Sequence, residues 1–246
     1  MDMKIAGSGT IAAGEYDNIR VSGSAKLGGP TIRCASFHCA GSTHCVGDME
    51  VTKEVSCSGS THFDRNVQAQ DIKVSGSMRI DGHCTSSGDM RIAGSLRCDG
   101  DIKGNGITVS GSMSAANVEG ENVLISGKIT CSGLLNAENL VIKMNGATSD
   151  IGSIGGSKIS IYPERHHKPI SRMPLLSKLL GNNGSSDLTV RESIEGDEIG
   201  LELVRAKTVV GRVVAIGEGC HIELVQYTEK LEVSPDATVE REEKIG

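Results

Sequence analysis

Residues 72–112 read IKVSGSMRIDGHCTSSGDMRIAGSLRCDGDIKGNGITVSGS and contain one small tripeptide three times. This tripeptide, Ser-Gly-Ser or Ala-Gly-Ser, recurs on both sides of the stretch, and a Ser-Gly-Lys variant closes the series. The central glycines are spaced by 16, 18, 18, 17, 18, 17 and 16 residues. These anchor glycines are Gly7, Gly23, Gly41, Gly59, Gly76, Gly94, Gly111 and Gly127. The first half of the chain is therefore an internal repeat.

Apolar residues occupy the even positions counted from each anchor glycine. Isoleucine, valine or cysteine stands two residues before the anchors, and methionine, isoleucine, phenylalanine or valine stands four residues before them. A period of two residues is typical of short strands with one buried face. We expect turns where a further glycine follows six residues after an anchor. These positions are Gly29, Gly47, Gly82, Gly100 and Gly133.

A repeat unit this short cannot bury its own apolar face, so it must stack on its neighbours. Stacked short strands with glycine corners form a parallel β-helix with three short faces per coil. A leucine-rich repeat would need a spaced Leu and Asn pattern, which the sequence lacks. Because the unit length varies, the right-handed form is favoured over the left-handed hexapeptide form. We predict an all-β protein, a right-handed parallel β-helix (solenoid) of about twelve short coils stacked at about 4.8 Å.

The composition agrees with a thin core and excludes several classes of protein. The 246 residues include 32 glycines, no tryptophan and only 2% aromatic residues. A net charge of −6 argues against a nucleic-acid binder. No apolar run approaches the ~20 residues of a membrane span, and Met1 to Lys4 do not open a signal peptide. Eight cysteines without an export signal indicate a reducing cytoplasm.

The repeat divides the chain into four segments. Residues 1–162 are the N-terminal coils, 163–187 a proline-containing insertion that is basic and then apolar, 188–239 further coils of the same solenoid, and 240–246 a charged tail. The insertion could be a lid on the solenoid, a contact with another protomer, or a weak membrane contact. Its leucines have the spacing of one amphipathic turn. These candidate contact residues are Leu175, Leu176, Leu179 and Leu180.

Four cysteines and three histidines within 29 residues, from Cys34 to His62, raise the question of a zinc site. Structural zinc usually takes paired cysteines on tight loops. Here Cys39, Cys45 and Cys57 fill columns that elsewhere hold valine, isoleucine and leucine, and His44 and His62 occupy outward positions that point away from these thiols. Buried free cysteine behaves as a small hydrophobe. We interpret the cysteines as core packing and expect no metal site.

Charged residues also form columns. Lys, His or Arg stands three residues after the anchors at Lys26, His44, His62, Arg79 and Arg97, and aspartates stand two residues further on. We expect a lattice of exposed ion pairs, each contributing about 0–1 kcal/mol. The alternative is a basic strip that docks an anionic partner.

The sequence contains no complete catalytic or cofactor-binding motif. Residues 152–158 are rich in glycine but lack the order of a phosphate-binding loop. No serine stands with a histidine and an aspartate as a catalytic triad. His221 is the one candidate for an acyltransferase histidine in the C-terminal coils, and we interpret it as a surface residue. We therefore expect neither catalytic residues nor a cofactor.

The chain resembles the bactofilins, a family of bacterial polymer-forming cytoskeletal proteins. The Ser-Gly-Ser coils carry part of this resemblance. Residues 193–199, 216–222 and 225–227 carry the rest and resemble the Bacillus-type branch, which is linked to flagellar or envelope-related functions. The resemblance implies a right-handed β-helix that polymerises end to end without nucleotide. The longer chain and the insertion at 163–187 depart from the family pattern.

Stacking physics gives an independent reason to expect self-association, because unpaired backbone groups at the ends of a β-helix recruit another chain. We expect a non-enzymatic cytoplasmic scaffold that forms a homo-oligomer or filament and supports flagellar or envelope assembly, with membrane association left open and no nucleic acid bound. The alternatives are a monomeric adaptor that binds through the insertion, and a β-helix enzyme or binding module for carbohydrate or acyl substrates. The end-coil candidates are Met3, Ile5, Ile11, Leu231, Val233 and Val239.

Overall fold

A computed structural model describes residues 1–164 and 188–246. Within these ranges the chain forms 23 strands and no helix. The N-terminal strands are β1 (Met3–Ile5), β2 (Ser8–Ile11), β3 (Gly14–Val21), β4 (Ser24–Leu27), β5 (Thr31–Cys39), β6 (Ser42–Cys45), β7 (Asp48–Cys57), β8 (Ser60–Phe63), β9 (Val67–Ala69), β10 (Asp71–Val74), β11 (Ser77–Ile80) and β12 (Cys84–Ser86). The others are β13 (Asp89–Ile92), β14 (Ser95–Cys98), β15 (Ile102–Val109), β16 (Ser112–Ala115), β17 (Val118–Ile125), β18 (Lys128–Met144), β19 (Ser149–Pro163), β20 (Leu188–Leu201), β21 (Val204–Ile216), β22 (His221–Val233) and β23 (Thr238–Lys244).

The strands pair in parallel, each with its counterpart one coil before or after. The serine after the anchor glycine illustrates the register, because Ser42 pairs with Ser60, Ser60 with Ser77, and Ser77 with Ser95. A single coil contains three short strands, as in β9, β10 and β11. The result is a parallel β-solenoid of about 13 turns. The predicted parallel β-helix is confirmed, with about one turn more than expected, and its right-handedness stays a prediction.

The core is a row of inward side chains running along the solenoid. In β10 and β11 the alternate residues Ile72, Val74, Met78 and Ile80 are at most 1% exposed. The two phenylalanines of the chain, Phe37 and Phe63, pack edge to face with ring centroids 6.0 Å apart. All eight cysteines are free and buried, which confirms that they fill the core. Short aliphatic and sulfur side chains thus replace the aromatic core of a thicker domain.

The glycines serve the stacking of coils more than the turning of the chain. Of the five glycines that follow six residues after an anchor, only Gly29 has a φ in the left-handed region, at +102°. At Gly47 the reason is contact, because a Cβ there would lie 2.2 Å from the carbonyl oxygen of Gly29, one coil earlier. Glycine is therefore required by the turn conformation at Gly29, as expected. At Gly47 it is required instead by the close approach of two backbones.

β19 and β20 pair in parallel although residues 164–187 lie between them in sequence. Ser149 pairs with Leu188, and Ile161 pairs with Leu201. The insertion leucines Leu175, Leu176, Leu179 and Leu180 lie outside the described residues. In residues 1–164 and 188–246 there is no helix that is long and apolar enough to cross a membrane.

The charged segment 240–246 contributes most of β23. Leu224 pairs with Arg241, and Tyr227 pairs with Lys244. The sequence set this segment apart as a frayed tail because it is highly charged. In the structure its backbone continues the solenoid as far as Lys244.

Candidate functional site

The first coil presents a strand edge. β1 pairs with β3 and β2 pairs with β4, and among the described residues neither strand has a partner on its other side. In a stack of parallel strands, the outer edge of the last strand carries N–H and C=O groups with no strand to bond. This N-terminal edge is the first candidate surface for self-association.

The three residues predicted to lie at this edge do not behave alike. Met3 and Ile5 are half-buried and pack against the end of the core, so each keeps part of its apolar surface at the edge. Ile11 is fully buried at 0% exposure and is closed to a partner. Its side chain points into the core because it continues the inward column of Leu27, with which it pairs.

Tyr16 is an edge residue that the sequence analysis missed. It is half-buried against the end of the core, and its hydroxyl donates a hydrogen bond of 3.0 Å to the carbonyl oxygen of Ala12. The anchor-based columns gave no signal for it, because Tyr16 lies at an odd distance from Gly23. Together Met3, Ile5 and Tyr16 form the partly exposed apolar cover of this end.

The C-terminal end of the solenoid has a different chemistry. Leu231 and Val239 are half-buried, and Val233 is 37% exposed. Among the described residues, β23 pairs with β22 on one side alone. Its outer positions carry charge, including an ion pair of 3.2 Å between Arg241 and Glu243. Charged side chains on an edge strand discourage edge-to-edge pairing, so this end is better protected than the N-terminal one.

The outward columns form the expected lattice of exposed ion pairs, and this prediction is confirmed. His62 approaches Asp81 of the next coil at 2.9 Å, and Arg79 reaches Asp99 of the coil after that at 2.8 Å. Arg79 also contacts Asp81 within its own coil at 2.7 Å. The hydrogen bond from His62 lowers the pKa of Asp81. Because His44, His62, Arg79 and Arg97 each have an acidic neighbour, this part of the column is not a continuous basic strip.

Seven of the eight thiols have a pKa raised above the ordinary value. Burial raises the pKa of Cys45 and Cys220 to about 11 and that of Cys34 to about 12. Cys39 and Cys57 are in register on neighbouring strands. The hydrogen bond between these two thiols lowers the pKa of Cys39 and, together with burial, raises the pKa of Cys57. Since the thiolate is the nucleophile and the metal ligand, protonated buried thiols are poor candidates for either role.

One group of side chains at the start of the lattice has metal-binding atoms close together. The ring nitrogens of His44 and His62 and a carboxylate oxygen of Asp64 all lie within 4.8 Å of one another. The sequence analysis expected no metal site because it weighed the histidines against the inward cysteines. The aspartate column two residues further on was the signal that could have found this group.

A shallow groove of about 540 Å³ runs across the C-terminal coils and includes His221. Thr189, Arg205 and His221 stack in register along one column, flanked by charged side chains. None of the described lining residues is serine or cysteine. His221 is half-buried at the surface, as the sequence indicated, and pairs with Thr238 of the last strand, which also lines the groove.

Comparison with curated proteins finds two similar chains from Bacillus subtilis (strain 168). The chain is 39% identical over 114 residues to the uncharacterized protein YhbE, an alignment that covers 46% of this chain and 44% of that protein. It is 28% identical over 113 residues to the uncharacterized protein YhbF, covering 46% of this chain and 42% of that protein. The matched region is thus less than half the length of either relative. No family model matches the chain, and no solved structure matches it.

Proposed function

We propose that this chain is a non-enzymatic scaffold that self-associates through the end coils of its β-helix and needs no nucleotide to do so. The observation that carries the proposal is the N-terminal edge, where β1 and β2 are paired on one side among the described residues. Another copy can satisfy the free backbone groups of this edge and cover its apolar residues at the same time.

The chemistry of the two ends favours the N-terminal one as the main contact. Met3, Ile5 and Tyr16 offer partly exposed apolar surface there. At the C-terminal end, the ion pairs Lys230–Glu232 and Arg241–Glu243 would have to be desolvated by a partner. Burying charges costs free energy that the contact must recover. We therefore place the tighter association at the N-terminal edge.

The setting of the scaffold follows from the family resemblance and is part of the proposal. The anchor coils and the segment 216–222 resemble bactofilins, which supports a cytoplasmic role in flagellar or cell-envelope assembly. The partner in this setting is a protein of that machinery rather than nucleic acid, because the net charge of −6 disfavours polyanions.

Sedimentation velocity of the purified chain without nucleotide, across protein and salt concentrations, tests the proposal. The Ile5→Lys variant places a charge at the N-terminal edge, and the matched control Val46→Lys places one at a side position that is 38% exposed. We expect assemblies larger than the monomer for the wild-type chain and for Val46→Lys, and monomers for Ile5→Lys. A wild-type chain that stays monomeric at high concentration would overturn self-association. Unchanged assembly of Ile5→Lys would exclude the N-terminal edge.

A further inference from the structure

His44 and His62 form a stacked pair on the outside of the solenoid. They lie in register on β6 and β8, one coil apart. Their imidazole rings are nearly parallel, at 11°, with centroids 5.2 Å apart. Asp64, just beyond β8, turns its carboxylate toward both rings. Its Oδ1 lies 2.7 Å from Nε2 of His44 and 3.6 Å from Nε2 of His62.

We propose that His44, His62 and Asp64 bind a divalent transition-metal ion of the zinc type on the surface of the solenoid. Two imidazole nitrogens and a carboxylate oxygen are ligands that zinc takes in proteins, at about 2.0–2.2 Å. Tetrahedral ligands at that bond length stand about 3.4 Å apart. The two distances from Asp64 Oδ1 to the imidazole nitrogens, 2.7 and 3.6 Å, lie on either side of this value. The three ligand atoms all lie within 4.8 Å of one another, and rotation of the stacked imidazole rings would direct both nitrogens at a shared ion.

Asp81 lies beside the group but is not among the residues whose ligand atoms all lie within 4.8 Å of one another. Its Oδ2 lies 2.9 Å from Nε2 of His62, while its Oδ1 accepts a hydrogen bond of 2.7 Å from Arg79. A metal ion bound at Nε2 of His62 would replace the hydrogen bond to Asp81. Three protein ligands and a water molecule form a four-coordinate zinc site, and water can reach this one because the ligands are partly exposed.

The position of the histidines in their column makes this place different from the rest of the lattice. Lys26 precedes them in register and Arg79 follows. A lysine or arginine side chain is protonated at neutral pH and donates only, so neither binds a cation. The histidine pair is where the column offers nitrogen lone pairs beside carboxylates. The cationic neighbours offset the charges of Asp64 and Asp81, so affinity must come from coordination rather than from bulk negative charge.

Thiols do not take part in the proposed site. Cys45 and Cys57, the cysteines nearest in sequence to the two histidines, are at most 1% exposed and point into the core. The ligand set is therefore nitrogen and oxygen alone. This makes a spectroscopic distinction possible, because cobalt(II) bound to thiolates shows a sulfur-to-metal charge-transfer band and cobalt(II) bound to nitrogen and oxygen does not.

Calorimetric titration of the full chain with zinc chloride, and of matched variants, tests the site. The variants His44→Gln, His62→Gln and Asp64→Asn each remove one ligand, and all three positions are partly exposed, so the fold should be kept, as circular dichroism would show. The control His83→Gln removes another exposed histidine beside an aspartate, with His83 Nδ1 3.5 Å from Asp101 and no second imidazole grouped with it among the described residues. All of these variants also carry His166→Gln and His167→Gln, so that the two consecutive histidines of the 163–187 insertion do not compete for zinc.

We expect one zinc ion per chain, at least tenfold weaker binding in each ligand variant, and unchanged binding in His83→Gln. Cobalt(II) should give a ligand-field spectrum without the thiolate band. Zinc binding that survives both histidine substitutions, a thiolate band with cobalt, or no binding at millimolar zinc would each overturn the site. The result does not depend on self-association, because the titration can be done on the Ile5→Lys monomer as well as on the assembled chain.

Discussion

A Cβ atom placed on Gly59 would lie 2.0 Å from the carbonyl oxygen of Gly41, one coil earlier. At each anchor glycine from Gly23 to Gly127, a Cβ atom would likewise lie 1.9–2.1 Å from the carbonyl oxygen of the preceding anchor glycine. None of these anchors has a φ in the left-handed region. The repeat therefore keeps glycine at the anchor because the backbones of successive coils touch there.

Substituting alanine for Gly59 should therefore destabilise the solenoid strongly. The new methyl group would collide with the backbone of Gly41 and Ala40, which cannot move aside as a flexible side chain could. We expect a loss of about 3 kcal/mol, the upper part of the range for overpacking. The matched control is Gly7→Ala, the anchor of the first coil, where a Cβ would meet no atom within 4 Å. Urea unfolding followed by circular dichroism measures both, and equal losses would contradict the stacking explanation.

Removing one whole coil should leave a folded but shorter solenoid. Deletion of residues 95–111 joins Gly94 to Ser112 and brings Met78 opposite Met113, so each strand keeps a parallel partner of the right type. We expect unchanged circular dichroism per residue and a rod shorter by about 4.8 Å in small-angle scattering. Deletion of residues 95–103 alone is the control, because it removes only about half a coil and leaves the following strands out of register with the strands of the preceding coil. Loss of structure in both deletions would contradict a modular stack.

The buried thiols should make the fold sensitive to alkali. Burial raises the pKa of Cys220 to about 11 from an ordinary value of 9.0. Between these values the thiol ionises in the unfolded chain but stays protonated in the folded one, so stability falls as the pH rises. Each such thiol contributes a slope of up to about 1.4 kcal/mol per pH unit. The unfolding free energy of Cys220→Ala, measured from pH 8 to 11, should fall less steeply than that of the wild-type chain, whatever the variant loses at neutral pH. Parallel curves would argue against a protonated Cys220.

The ion-pair lattice should contribute little to stability compared with the core beneath it. Arg79 contacts Asp81 and Asp99, yet its side chain is 44% exposed. We expect Arg79→Gln to lower the free energy of unfolding only slightly in dilute buffer and almost not at all in 1 M salt. The neighbouring Met78 is 1% exposed, and Met78→Ala should cost about 2–5 kcal/mol at both salt concentrations. Comparable losses of unfolding free energy for the two variants would contradict the expectation that the lattice contributes little to stability.

The coils of the solenoid could be predicted from the sequence because every repeat unit shows the same alternation of inward apolar and outward polar residues. Ile72, Val74 and Ile80 were assigned inward from their distance to Gly76, and all three are buried. Six of the eight cysteines could be assigned to the core by the same arithmetic, whereas Cys34 lies at an odd distance from Gly41 and Cys220 lies beyond the last anchor. Repetition makes an isolated error visible, since a misplaced residue would break a column that its neighbours continue.

The ends and the outer surface were harder to predict, because there the repeat no longer decides the environment. Ile11 belongs to an inward column and is buried, although it lies in the first coil. The proximity of His44 to Asp64 depends on how a side chain of one coil leans toward the next coil. An alignment of the repeat units gives the distance of each residue from its anchor glycine but not the direction in which its side chain leans. Tyr16 covers the end of the core from an odd position, where the columns carry no information.

The register between β19 and β20 has a consequence for what the solenoid can carry. The two strands pair as if they were consecutive, since Ile159 meets Ile199, although residues 164–187 lie between them in sequence. The closure cost of a longer connection grows slowly, by about 0.6 kcal/mol for each doubling of its length. The length of the connection is thus decoupled from the register of the strands that it joins. A foreign peptide or a whole domain could be grafted between these strands and held at one fixed height along every subunit.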